Sequence, residues 1–294
     1  MSTTSLSIPK NSIPPKSVKK DIIDFYNKAT QDYKFWSKDL NMHFGFYVPF
    51  KTNFLKRDTM LNEMNDQLFS LLNIENKKAH VVDLGCGVGA TMKYGINKYP
   101  MLAITGCSIS EFQVEYGNEF VNSERASILN KDYRNTQFMD NAFDGAMAVE
   151  SFCHSGCSLD ALKETYRVLK PGSTFVMADA FSKKSKNQMN PLSKQVYKGL
   201  CESWSLEKLG NIHEVERQLK ELGFKEVTIK NIWYRVAPSV LHVPFAISGF
   251  ILKKLLNHQP LNKESINNLK GSFYALLTSL CMQDFGYYVI TAKK

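Results

Sequence analysis

The sequence predicts an α/β fold: a mostly parallel sheet with helices on both faces. Three observations predict it. The run His80 to Leu84 is apolar but for His80 and Asp83, ends on Gly85-Cys86-Gly87-Val88-Gly89, and is followed by the helical pattern Thr91 to Tyr99. That order is a buried parallel strand, a glycine turn and a helix. Strand-like and helix-like stretches then alternate through Ala180, which requires right-handed crossovers and a parallel sheet. Last, the alternating strand Lys225 to Trp233 and the closing strand Phe285 to Ala292 are separated by residues 234–284. This interval is far beyond a hairpin turn, so it must carry its own substructure, most simply a helical cap inserted before the last strand.

The remaining elements follow in chain order. Residues 1–20 hold Lys10, Lys16, Lys19 and Lys20, no acids and three prolines, and read as a flexible tail without an apolar core or an arginine-rich leader pattern. Asp21 to Lys38 and Asn53 to Leu72 read as helices of an N-terminal helical segment, residues 21–75, with Phe25, Tyr26, Tyr33 and Trp36 turned to the core or a ligand pocket. Asn211 to Leu222 is a helix ended by Gly223. One domain, residues 21–294, therefore divides into the N-terminal segment, a core of 76–233 plus 285–294, and the cap 234–284.

Composition agrees and excludes several classes. A chain of 294 residues with 44% hydrophobic and 12% aromatic content fills one large core. Six cysteines without paired spacing indicate reduced thiols and a cytoplasmic setting. Cys153-His154-x-x-Cys157 has no matching second pair, so no metal is expected. The apolar stretch Val240 to Leu252 contains His242 and Pro244 and is read as too short to span a bilayer, leaving at most peripheral membrane contact. The net charge of +9 raises nucleic acid as a partner, yet no recognisable basic module or base-methylation motif accompanies it, so none is expected.

The glycine turn admits two ligands. Gly85-x-Gly87-x-x-Ala90 satisfies the relaxed dinucleotide fingerprint, and the turn equally suits an adenosyl group. Asp83, an acid in the last turn of an apolar strand, favours the second: it is placed to anchor turn amides and the ammonium of an amino-acid-bearing cofactor.

At this point the chain resembles a known family. Val81-Val-Asp-Leu-Gly-Cys-Gly-Val-Gly89 is similar to the first motif of class I S-adenosylmethionine-dependent methyltransferases. Later segments fall in that family's order: the strand ending at Asp132-Tyr133, Asn141-Ala-Phe-Asp144 through Glu150, and Leu162 through Arg167, Lys170-Pro171-Gly172 and Val176. The resemblance implies a Rossmann-like seven-stranded sheet and S-adenosyl-L-methionine as cofactor, held by Asp83, Gly85, Cys86, Gly87, Asp132 and Tyr133. Gly106-Cys-Ser-Ile-Ser-Glu-Phe-Gln113, Glu150-Ser-Phe-Cys-His154 and the aromatic segment from Tyr26 through Trp36 to His43-Phe-Gly-Phe-Tyr47 more narrowly resemble the tocopherol, sterol and terpenoid C-methyltransferases. The chain departs from the wider family after the second strand, where Cys107 and Ser108 replace the acid that commonly binds ribose. That contact then falls to Ser108, Ile109 or Gln113.

The chemistry implied is attack on a sulfonium methyl, for which alignment and exclusion of water are the main work. An alkene acceptor would leave a carbocation, which aromatic faces and a nearby base stabilise and resolve. Glu150, His154, His43 and Tyr47 are the candidate catalytic residues, and Glu150 is equally a candidate for the cofactor's amino-acid portion. Tyr33, Trp36, Phe44, Phe152, Trp233, His242, Phe245 and Phe273 are candidates to line the acceptor. Lys183, Lys184, Lys186, Lys194, Lys198, Lys253 and Lys254 either meet an anionic group, a diphosphate or membrane surface, or are solvated faces. The expectation is C-methylation of a small lipophilic, isoprenoid-like metabolite. N- or O-methylation of an alkaloid or phenol is the alternative, and a cofactor-binding regulator without turnover is the alternative of another class.

Overall fold

The computed structural model describes residues 37–258, 260 and 263–294. The expected tail, most of the first expected helix, and Tyr33 and Trp36 lie outside the described residues.

A seven-stranded sheet forms the centre, in the order β3-β2-β1-β4-β5-β7-β6, built from β1 (Ala79–Leu84), β2 (Leu102–Ser108), β3 (Ala126–Asn130), β4 (Phe143–Val149), β5 (Leu169–Ser182), β6 (Lys225–Asn231) and β7 (Phe285–Lys293). The first five strands pair in parallel, and β7 runs antiparallel between β5 and β6. The chain order reverses between β1 and β4, so the carboxyl ends of these two strands open the crevice where such sheets take ligands.

Helices α1 (Arg57–Leu71), α2 (Ala90–Lys98) and α3 (Glu111–Val121) cover one face, burying Met64, Leu68, Phe69, Met92 and Ile96 against Val81 and Ile104. On the other face lie α4 (Leu159–Val168) and, after α5 (Pro191–Ser203), α6 (Ile212–Glu221). There Leu162, Val168, Val215 and Leu219 pack on Val82, Phe175 and Ile290. Side-chain caps fix where these helices start: Ser110 accepts from Gln113 N–H, Ser158 from Ala161 N–H, Asn190 from Ser193 N–H, and Asn211 from His213 and Glu214 N–H.

The cap region is helical, with α7 (Trp233–Val240), α8 (Val243–Leu256) and α9 (Lys263–Thr278). Four differences from expectation have local causes. The helix expected from Asn53 starts only at Arg57, because Asn53 and Thr59 hold the preceding turn through hydrogen bonds with each other and with Lys56. The strand expected to reach Trp233 stops at Asn231, whose side chain accepts from Trp233 N–H and starts α7. Helix α5 had no sequence assignment. The fourth concerns length: α7 and α8 run together from Trp233 to Leu256, long and apolar enough by length and composition to cross a membrane, although only 22% of that window is buried. The reading of Val240 to Leu252 as too short stopped inside this longer run. Val236 and Val240, both nearly inaccessible, fasten its first part to the sheet.

Candidate active site

A cavity of about 310 Å³ opens at the carboxyl ends of β1, β2, β4 and β5 and extends beneath the cap helices. Its floor is the glycine turn. Gly85 (φ +92°) lies so close to Ser151 that an added Cβ would meet the serine Cβ at 2.5 Å, whereas at Gly87 (φ +56°) a Cβ would meet nothing within 4 Å. Gly85 thus packs strand end to strand end, and Gly87 leaves room for a ligand at positive φ. Ser151 Oγ donates to the Leu84 carbonyl at 2.6 Å, closing the two strand ends on each other.

Asp83 is buried beside this floor and lines the cavity. The turn amides of Gly85 and Cys86 donate to the Cys107 carbonyl, both at 3.0 Å, so Asp83 does not anchor them as expected. Among the described residues no donor reaches its carboxylate, and burial raises its pKa to about 7. A buried acid facing a cavity in this way is suited to a cationic ligand group.

On the neighbouring strand end, Ser108 Oγ donates to Gln113 Oε1 at 2.9 Å, and Gln113 N–H donates to Ser110 Oγ. Ser108, Ile109 and Gln113 line the cavity together with Asp132 and Tyr133. Asp132 is clamped by Arg134, whose Nε and terminal nitrogen reach its two oxygens at 3.0 and 2.6 Å. Tyr133 stacks on Phe152, with centroids 4.8 Å apart.

Opposite this half stands Glu150, the residue after β4, in the left-handed region at φ +47°. A non-glycine residue held there is strained and persists only when its surroundings fix it. Phe44 N–H and Tyr287 O–H both donate to Glu150 Oε1, at 2.6 and 2.7 Å, and Arg57 adds a favourable charge. Burial nevertheless outweighs these contacts and raises the Glu150 pKa to about 8. Next to it Asp179 accepts from Cys153 and Ala180 N–H at 2.9 and 2.8 Å, and its pKa is raised to about 6, again by burial. His154 is enclosed, and burial lowers its pKa to about 4, so the imidazole facing the cavity is neutral near pH 7. Beyond these groups the wall is apolar: Leu200, Trp204, Leu206, Val240, Val243 and Ala275.

The structure brings Asp83, Gly85, Cys86, Gly87, Ser108, Ile109, Gln113, Asp132, Tyr133, Glu150, His154, His43, Phe44 and Trp233 to one cavity. Five other candidates are corrected. Phe152 is fully buried in the core beneath Tyr133. Tyr47 packs edge-on against Phe54, and its N–H donates to the Arg235 carbonyl, so it ties its segment to α7. His242 lies outside, with Nε2 2.8 Å from the Phe54 carbonyl. Phe245 and Phe273 face away from the cavity, 79% and 50% exposed. His43 reaches the cavity, but its ring nitrogens sit 2.9 and 3.1 Å from Phe44 O and Asn65 Oδ1, and burial lowers its pKa to about 4. It positions the segment that carries Phe44.

Sequence reasoning missed Arg57, Cys153, Asp179, Trp204 and Tyr287. An available signal was the alternation of β7, which puts Tyr287 on the same face as Val289. None of the seven candidate lysines lines the cavity: Lys184 pairs with Asp284 at 2.7 Å, Lys183 donates to the Met282 carbonyl at 2.6 Å, and Lys186 lies over Tyr197. Among the described residues no cluster of three or more metal-ligating side chains occurs.

Residues 82–177 match the family described as a methyltransferase domain. The chain is 27% identical over 219 residues to 24-methylenesterol C-methyltransferase 3 of Arabidopsis thaliana, covering 72% of this chain and 58% of that protein. It therefore spans under two thirds of the length of that relative. Among solved structures, a cyclopropane synthase of Mycobacterium tuberculosis superposes with a TM-score of 0.80 at 14% identity, covering 97% of this chain and all of the other. Geranyl diphosphate C-methyltransferase of Streptomyces coelicolor, solved with geranyl diphosphate and S-adenosyl-L-homocysteine, gives 0.68 at 16% identity over 95% of this chain and 99% of its own. Residues 82–177 are thus similar to a methyltransferase domain, the fold is Rossmann-like, and the chain is similar to sterol C-methyltransferases.

Proposed function

We propose that this chain is an S-adenosyl-L-methionine-dependent methyltransferase acting at carbon on a lipophilic, isoprenoid-like acceptor. The observation that carries the reading is the placement of Glu150, held by Phe44 N–H and Tyr287 O–H where the glycine-turn half of the cavity meets its apolar half. Asp83 and the open space at Gly87 fit a ligand that combines an ammonium group with a nucleoside. Ser108 and Gln113 would meet its ribose and Tyr133 its base. When bound, this cofactor supplies an electrophilic methyl group.

The chain's own residues do the rest. Phe44, Trp204, Trp233 and Tyr287 present aromatic faces around the space left for the acceptor, where they attract a carbocation formed when an alkene takes the methyl. Glu150 in its carboxylate form stabilises that cation and accepts the proton whose loss restores a double bond. The apolar wall keeps water from the cation. None of the seven lysines singled out in the sequence lines the cavity, so the cations left to meet a diphosphate are Arg57, Lys131 and Arg134, of which Arg134 is already paired with Asp132. In this reading residues 37–75 close over the cofactor, 76–233 and 285–294 hold it, and 234–284 select the acceptor. Six free cysteines suit a reducing, cytoplasmic setting.

Glu150→Gln tests the assignment. Methylation of an alkene acceptor is expected to fall by about 10²–10⁴-fold with cofactor affinity retained. Unchanged turnover, or a loss that merely follows weaker cofactor binding, would remove Glu150 from the chemistry. Methylation at nitrogen or oxygen that survives the substitution would favour the alkaloid or phenol reading.

A further inference from the structure

Helix α8 is apolar around its whole circumference, a pattern that belongs to a helix covered on all sides. Among the described residues it is covered on one. Val243 and Phe250 face inward, and Phe250 packs against Leu269. Outward, Leu241, Phe245, Leu252 and Leu255 follow one another at helical spacing and are 53%, 79%, 56% and 67% exposed. A second element extends this stripe. His242 Nε2 lies 2.8 Å from the Phe54 carbonyl, and the two rings are 6.0 Å apart, so the loop carrying Phe50, fully exposed, and Leu55, 80% exposed, stands beside α8. Apolar groups from two separate parts of the chain thus join in one exposed patch, of the kind that marks an interaction surface.

Charge identifies the partner. Lys51 and Lys56 lie on the loop and Lys253 and Lys254 on α8, while neither residues 46–56 nor residues 233–258 contain an acid. Lys51 pairs with Glu63 at 2.7 Å and Lys254 lies over the inward Phe250 ring, while Lys51, Lys56 and Lys253 are exposed next in sequence to the apolar residues of the patch. An apolar stripe with a basic border complements a lipid surface that has acyl chains below and anionic headgroups above. The helix lies along such a surface rather than through it, because Gly45 N–H donates to Ser239 Oγ and Val236 and Val240 are locked to the sheet.

We propose that α8 and the Phe50–Leu55 loop dock this protein on anionic membrane surfaces. The inference goes beyond methyl transfer and stands without it. It also gives the cap a second use: Val243 and Ala246 line the cavity from the inner side of the helix, which places the acceptor pocket one helix away from the lipid.

The test is co-sedimentation of the full chain with phosphatidylcholine vesicles, with and without phosphatidylserine, at low and high salt. Binding is expected to require phosphatidylserine and to weaken with salt. Phe245→Asp and, separately, Phe50→Asp should each lower the bound fraction's partition coefficient by about tenfold or more, with an unchanged circular-dichroism melt and unchanged S-adenosylmethionine affinity. Equal partition of the variants and the parent protein would overturn the proposal. So would absence of vesicle binding, whether the protein stays monomeric in sedimentation or forms a dimer that Phe245→Asp abolishes, the latter assigning the face to a second copy of the chain.

Discussion

A carboxylate taken out of water keeps its proton unless something positive replaces the lost hydration. Asp83 and Glu150 are both in that position, yet they differ in what surrounds them. Glu150 receives two hydrogen bonds and the field of Arg57, whereas Asp83 faces the cavity and among the described residues meets no donor. A ligand ammonium at Asp83 binds the ionised form, so binding is linked to loss of a proton. The sign follows: below the free protein's value of about 7, the affinity for S-adenosylmethionine should rise about tenfold per pH unit, and above it the affinity should level off. Asp83→Asn should bind more weakly and without this slope. Calorimetry from pH 5.5 to 8.5 checks it, and a parent protein with the same slope as the variant would count against the role of Asp83. This residue was legible in the sequence because a lone acid at the end of an apolar strand has few other uses. Tyr287 was not, since it comes from the far end of the chain and joins Glu150 only through the antiparallel insertion of β7. The opposite error befell Phe245 and Phe273, where apolar character suggested a pocket and the helices turn those side chains outward.

Among the elements, the pair α5 and α9 decides the shape of the acceptor half. The two helices approach at glycines. A Cβ on Gly271 would lie 2.2 Å from Trp204 Nε1, and one on Gly199 would lie 2.2 Å from Tyr274. Trp204 Nε1 also donates to Asn268 Oδ1 at 3.3 Å, holding the indole at the cavity wall. Gly271→Ala must therefore displace the indole or part the helices, at about 1–3 kcal/mol. We expect a lower Tm and a raised KM for the acceptor, with cofactor affinity unchanged. A variant with parental KM would show that this contact does not shape the acceptor half. The strand-helix alternation up to Ala180 was readable because each parallel strand is buried on both faces and each crossover helix carries one apolar stripe. Helix α5 also carries a start signal in the sequence, Asn190-Pro191, a capping residue followed by proline at the first helical position. The stop of β6 at Asn231 goes with a single side-chain hydrogen bond, from Trp233 N–H to Asn231 Oδ1, which periodicity does not reveal.

Across the whole molecule the glycine turn, the strained Glu150 and the apolar cap wall meet at one edge of one sheet, at the point where strand order reverses. The cofactor half of this arrangement was written locally, in contiguous motifs, and the sequence displayed it. The acceptor half is assembled from α5, α7, α8, α9 and β7, whose cavity-facing residues lie far apart in the chain, so their grouping emerges only from packing. In the proposed reaction a methyl group passes from the cofactor in the first half to a carbon atom in the second. Incubation with S-adenosylmethionine labelled with carbon-13 in the methyl group and a sterol bearing a side-chain alkene tests it most directly, with the product read by carbon nuclear magnetic resonance. The predicted result is an enriched signal at the shift of a carbon-bound methyl or methylene, lost in Glu150→Gln. An enriched signal at an oxygen- or nitrogen-bound methyl shift, or saturable cofactor binding with no label transferred, would contradict it.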